Sequence, residues 1–152
     1  MDSGDIRMAD ISEKSQTKRV AIAQARVFMK KDTLSSLIKG NIPKGDVLAC
    51  AKVAGIMAAK KTSELLPLCH PLEITNVKLE FDIDETKVCI LVKAIVSVLG
   101  RTGVEMEALT AASIASLTIY DMCKPVDRGI VISDIMLLEK SGGKSGAYKR
   151  QG

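Results

Sequence analysis

The stretch KVCILVKAIVSVLG, residues 87–100, decides the fold. It is rich in Val and Ile, and near its centre apolar residues occupy both alternating sets of positions. A strand with one face in water alternates apolar with polar. A run apolar on both faces reads as an inner strand with neighbours on either side. Just before it, Val77, Leu79, Phe81 and Ile83 alternate with Lys78, Glu80 and Asp82, the pattern of a half-buried strand. The tripeptide DET, 84–86, turns the chain between the two. After it, GRTG (100–103) is a loop, and VEMEALTAASIASLTIYDMC (104–123) predicts a helix.

The same reading extends to both ends. RVAIAQARVFM (19–29) is a strand by its β-branched content. KDTLSSLIKG (31–40) is a short helix, with Asp32 or Thr33 as its cap and Gly40 as its stop. Lys44 to Leu65 is expected to form one long helix capped by Asp46, with Val47, Cys50, Ala54, Met57 and Ala58 on its apolar face. Pro67 ends that helical region, because the residue before a proline is driven out of the helical basin. GIVISDIMLLEK (129–140) is the last strand. The order strand, helix, helix, strand, strand, helix, strand does not alternate regularly. It implies an α+β sandwich, an antiparallel or mixed sheet with its helices on one face. Residues 1–17 read as a flexible leader, 18–140 as a single α+β domain, and 141–152 as a flexible Gly/Lys-rich tail.

Composition bounds the function. The chain has 152 residues, 47% hydrophobic, which suits one domain with one core. Two Phe, two Tyr and no Trp leave that core to Val, Ile, Leu, Ala and Met. The net charge of +4 is spread among acids, which suits an anionic small molecule better than a DNA backbone. The apolar runs are too short for a membrane span. The four cysteines, at 50, 69, 89 and 123, form no CxxC pair. With a single His, they make neither a disulfide framework nor a zinc site. A reducing cytoplasm is expected, with Cys50 and Cys89 as small buried hydrophobes.

Several constellations bear on chemistry. Glu107, Thr110, Ile114, Thr118 and Asp121 recur every three or four residues, and Lys124 continues the row. Asp121 and Lys124 at i, i+3 hold each other charged and are suited to moving a proton, if water is partly excluded. The bland alternative is a solvated helix face ending in one weak surface ion pair. LPLCHPL (66–72) holds the lone histidine, His70, between Pro67 and Pro71, which stiffen the backbone around it. His70 is either a ligand-touching, proton-moving group or a hydrogen-bonded corner histidine. KSGGKSG (140–146) is not a phosphate-binding P-loop, because Leu138 stands where the first Gly is required and no helix follows. Arg19, Lys44, Lys60, Lys61 and Arg101 are scattered cations, plain surface unless they converge on a polyphosphate.

LPLCHPL, TGVEMEALTAASIASLTIYDMCK (102–124) and KSGGKSG, in that order, resemble the cyclic pyranopterin monophosphate synthase family of molybdenum cofactor biosynthesis. KGDVLACAKVAGIMAAKKT (44–62) also looks like that family's first long helix. The likeness runs from about Met8 to Tyr148. It implies a ferredoxin-like α+β fold and a lyase that converts 3',8-cyclo-7,8-dihydro-GTP to cyclic pyranopterin monophosphate with release of pyrophosphate. It further implies homohexamers, trimers of dimers, with active sites between subunits. No cofactor, metal, nucleic acid or membrane is implied. Carried over by motif, Asp121 and Lys124 would be the acid/base pair, and Leu68, Cys69, His70, Met106 and Glu107 would contact substrate. Lys44, Lys140 and Arg19 match positions suited to the triphosphate or to ring opening. Two departures stand out: Pro125 directly follows Lys124, and the chain before Met8 matches poorly. A nucleic-acid module would need exposed stacking aromatics, and only Phe28 and Phe81 fall in predicted strands. A regulatory ligand-binding module would not need Asp121 and Lys124 together.

Overall fold

The computed structural model describes residues 4–143 and 146–151. The β-branched runs become strands β1 (Thr17–Phe28), β2 (Ile74–Asp84), β3 (Cys89–Gly100) and β4 (Val131–Ser141), joined at the end by the short β5 (Tyr148–Lys149). The alanine-rich and amphipathic segments become helices α1 (Lys31–Ile38), α2 (Val47–Lys60), α3 (Thr62–Leu65) and α4 (Glu105–Cys123). The five strands form one sheet in the order β2-β3-β1-β4-β5, and every pairing is antiparallel.

The strand that opened the sequence reading is an inner one, held between β2 and β1. Its alternate residues Ile90, Val92, Ala94, Val96 and Val98 are fully buried, and the intervening ones are largely half-buried. The buried set lies level with Ala21, Ala23, Ala25 and Val27 of β1. Helix α4 packs on β1, β3 and β4, and α2 packs on β2 and against α4. Four alanines of α4 (108, 111, 112 and 115) are fully buried in the same core. Small side chains on both layers let helix and sheet approach closely, and the interior is filled mainly by Val, Ile and Ala. The result is an α+β ferredoxin-like fold.

Local details depart from the sequence reading in four places. The long helix expected over 44–65 is broken at Lys61, which leaves the helical basin with φ −104° and ψ 7°, so α2 and the four-residue α3 are separate. The buried face of α2 is Val47, Ala51, Gly55, Ala58 and Ala59, whereas Cys50 and Met57 of the expected face are exposed. Cys89 of β3 is fully buried, as expected. Closeness sets the buried face of α2: a Cβ on Gly55 would stand 3.0 Å from Leu79 Cγ and 3.2 Å from the Ala111 carbonyl oxygen. The helix turns its smallest residues to that contact, and its outward apolar residues then blur the periodicity. Gly55→Val should therefore destabilise the protein by about 2 kcal/mol through overpacking. A denaturant midpoint unchanged from the parent would contradict that.

Third, α1 has no cap of its own: Lys30 stands at its N-cap, and neither Asp32 nor Thr33 fills that place. Asp127, beyond α4, braces that end instead, accepting from Lys30 N–H at 2.9 Å and from the Thr33 hydroxyl at 3.0 Å. Gly40 does close the helix, in the left-handed basin at φ 73°. Fourth, the tail contains β5, whose Tyr148 and Lys149 pair with Lys140 and Glu139. Lys144 and Ser145 of the expected flexible tail lie outside the described residues.

Candidate functional site

The C-terminal end of α4 carries the first group of candidates. Asp121 and Lys124 lie one turn apart, and Lys124 Nζ is 2.9 Å from Asp121 Oδ1. Lys124 keeps helical geometry (φ −56°, ψ −29°) as the residue that closes α4, so Pro125 ends the helix without turning the lysine away from its partner. Lys44, from the loop before α2, donates to the Asp121 backbone carbonyl at 3.1 Å and stands 3.8 Å from Asp121 Oδ2. The hydrogen bond from Lys124, then the charges of Lys124 and Lys44, hold the Asp121 carboxyl below the usual carboxylate range. Two ammoniums thus flank one carboxylate. The spacing of Asp121 and Lys124 was legible in sequence, but Lys44 joins them across 77 residues of chain.

The second group sits at the N-terminal end of α4. Glu107 is only 2% exposed, and its Oε2 accepts from the Cys69 thiol at 3.4 Å. Burial pushes the Glu107 carboxyl up. Burial, and then the charge and hydrogen bond of Glu107, push the Cys69 thiol up to about 11. The thiol is therefore neutral near pH 7 and serves as a donor, not as a nucleophile. Leu68 and Met106, each about two-fifths exposed, border a cavity of about 440 Å³ together with Ile6, Leu66, Pro67 and Cys69. His70 follows directly, half-buried, with Nε2 2.7 Å from the Ala9 carbonyl oxygen. The Cys69 N–H bonds back to the Leu66 carbonyl at 3.1 Å, so the segment between the two prolines is a tight corner.

Arg19 belongs to this end of the molecule. It is 8% exposed on β1, and its Nε donates to the Gly100 carbonyl at 3.0 Å. Gly100 in turn lies against Leu72, two residues beyond His70. After β4 the chain closes over Lys18 and Arg19. Gly142 and Gly143 sit there at φ 94° and 79°, and a Cβ on either would collide with the Lys18 carbonyl or the Arg19 guanidinium. Lys140 is in register with Ala21, close by on β4. The glycines expected in a flexible tail thus act as a close cover on Arg19. Gly143→Ala should displace that guanidinium from the Gly100 carbonyl and cost about 1–3 kcal/mol of stability, while leaving the Asp121–Lys124 contact intact. A denaturant midpoint equal to the parent's would count against this.

The two groups do not meet in one chain. Glu107 and Asp121 are separated by about 21 Å along α4 at ~1.5 Å per residue. Nor is the row from Glu107 to Lys124 a continuous polar face. Glu107 is buried, and the Thr118 hydroxyl is turned back onto the Ile114 carbonyl at 2.8 Å. Asp121 and Lys124 are side chains 60% and 48% exposed. Of the scattered cations, Lys60, Lys61 and Arg101 are exposed, and only Lys44 and Arg19 join a group. The Cys69–Glu107 pair escaped sequence reading. Its one signal was a glutamate set in an alanine-rich helical run, beside Ala108 and one turn before Ala111. Among the described residues no cluster of His, Cys, Asp and Glu is placed to share a metal ion, and no described helix is long and apolar enough to cross a membrane.

Compared with known proteins, the sequence profile of the MoaC family matches residues 8–143. The chain belongs to the MoaC family. Its MoaC-family relatives include a protein of Thermoanaerobacter pseudethanolicus named cyclic pyranopterin monophosphate synthase, 56% identical over 150 residues that cover 99% of this chain and 95% of the relative. Proteins of the same name from Heliobacterium modesticaldum and Desulfitobacterium hafniense are 55% and 57% identical, each over 99% of this chain and over 94% and 91% of their own lengths. The matched MoaC-family span contains every candidate residue in both groups and reaches Met8, beside the Ala9 that holds His70.

Proposed function

We propose that this chain is a lyase of molybdenum cofactor biosynthesis that converts 3',8-cyclo-7,8-dihydro-GTP to cyclic pyranopterin monophosphate and pyrophosphate. Residues 18–140 would form its single catalytic domain. The observation that carries the reading is the Lys124–Asp121 contact of 2.9 Å with Lys44 beside it, in a chain whose full-length relatives bear that name. Asp121, held ionised, takes a proton from a ring nitrogen or hydroxyl, and the ammonium of Lys124 gives one up. Lys44 balances negative charge as the pyrophosphate oxygen leaves, and Arg19 and Lys140 hold the phosphates. Leu68, Met106, Cys69 and Glu107 receive the pterin part of the substrate, and His70 moves a second proton.

The distance between the two groups supports a site shared by two chains. One copy supplies the Asp121–Lys124–Lys44 end and its neighbour supplies the His70–Glu107–Arg19 end, within a homohexamer built as a trimer of dimers. Half-exposed catalytic side chains gain the dry surroundings they need when a partner covers them. A cytoplasmic setting is part of the proposal, supported by four cysteines without a disulfide.

The test of function is direct. Given the product of a radical GTP cyclase, the purified protein should release pyrophosphate and form a cyclic-phosphate pterin. Release no faster than background would remove the assignment. A complementation experiment tests the shared site. His70→Ala and Lys124→Ala chains, each inactive alone, are dissociated, mixed in equal amounts and reassociated. Sites drawing one group from each neighbour would recover about a quarter of the parent activity, since that fraction pairs two intact halves. No recovery in a mixed oligomer would mean that both groups are needed from one chain.

A further inference from the structure

The leader does more than precede the sheet. Among the described residues it contributes no strand or helix before Thr17, yet it runs back to the lone histidine. Ile6 lies on the rim of the cavity formed by Leu66, Leu68 and Met106. Three residues on, the Ala9 carbonyl meets His70 Nε2 at 2.7 Å. The Asp10 carboxylate then accepts from the Ser12 N–H at 2.9 Å, which closes a tight turn directly after that contact.

A backbone carbonyl can only accept, so the Ala9 contact requires the hydrogen of a neutral His70 to sit on Nε2. Nδ1 then keeps the lone pair, and it has no hydrogen-bond partner among the described residues. We propose that residues 6–10 are a positioning strap: the main-chain carbonyl of Ala9 fixes the orientation and tautomer of His70 and leaves Nδ1 as the proton acceptor of the substrate site. This deepens the functional reading above and rests on it. When Nδ1 takes a proton from substrate, the ring becomes an imidazolium whose Nε2–H bond to Ala9 is retained and strengthened by the charge. The later return of that proton from Nδ1 restores the starting ring, so no other reactant is needed. Ala9 touches no reacting atom, and it acts through His70.

The single histidine makes the test clean, because imidazole signals in a labelled chain have only one source. In the intact full-length protein at a pH where the ring is neutral, the Nε2–H proton should be seen by NMR as slowly exchanging. The full-length double variant Ile6→Asp/Asp10→Ala frees both the rim contact and the turn. It should lose that protected signal and lower kcat by about tenfold or more, because a misplaced reacting group costs rate. The conservative pair Ile6→Leu/Asp10→Asn keeps the apolar contact and the turn, and should restore both. An intact protein with no protected ring proton would overturn the strap. So would a double variant that loses the signal and keeps its kcat. The proton signal is read without turnover, so failure of the strap is distinguishable from failure of the assigned reaction, which the pyrophosphate assay alone decides.

Discussion

Lys124→Ala should lower kcat by about 10²–10⁴-fold while substrate binding stays close to that of the parent, the range for removing a positioned acid or base. The lysine contacts Asp121 at 2.9 Å from the turn that ends α4, and it is half-exposed, so its loss should leave the core untouched. Asp121→Ala should cost a similar factor. The double variant should be little worse than either single one, because the two side chains act as one device. Acid should move the remaining activity in a defined direction. The hydrogen bond from Lys124, then its charge and that of Lys44, hold the Asp121 carboxyl low. In the parent, activity that depends on ionised Asp121 therefore persists below the usual carboxylate range. In Lys44→Ala one of those influences is gone, so the acidic limb of kcat/KM should shift upward in pH. An acidic limb that stays fixed, or a Lys124→Ala enzyme with parental kcat, would show that these residues do not carry the proton transfers.

Asp127→Ala should be strongly destabilising. The residue is 3% exposed, and three donors converge on it: Lys30 N–H, the Thr33 hydroxyl, and Gly129 N–H at 3.0 Å. Removal unties the start of α1 and strands three donors, together costing roughly 2–4 kcal/mol. At this size that lowers the thermal midpoint by about 5–15 °C. Burial pushes the Asp127 carboxyl up, but the bonds from Lys30, Thr33 and Gly129 outweigh it and leave the group below its ordinary value. A carboxyl lowered in the folded state adds stability above its unfolded value, and loses it as pH falls through the folded one. The gap between parent and Asp127→Ala should therefore be full near neutrality and narrow in acid. Asp127→Asn should recover only part of the loss, since its amide presents N–H groups where the backbone also donates. A gap that does not change between pH 7 and pH 3 would contradict the role given to the charge.

Sequence made the strand and helix order legible because the punctuation is strong. The Val/Ile run of β3, the alternation of β2 and the stop at Gly40 each have a local cause. What stayed hidden is non-local. The carboxylate that braces the start of α1 comes from a residue 97 positions away from the N–H it accepts. The buried side of α2 could not be read from periodicity, because its outward face also carries Val53 and Met57. That left Cys50 on the wrong side. β5 is too short to leave a pattern. The candidate site divides the same way. Asp121 and Lys124 are one turn apart and could be paired on paper, but Cys69 finds Glu107, and His70 finds Ala9, only through the fold.

Helix α4 also has a kinetic consequence. As a rigid rod it keeps the two candidate groups apart, so under the proposed shared site a lone molecule would carry two half-sites and no whole one. Under the proposed arrangement, dilution that parts the copies should extinguish turnover, and specific activity should climb with protein concentration until assembly saturates. Solitary chains would then be silent, and reaction flux would track how crowded the protein is with copies of itself.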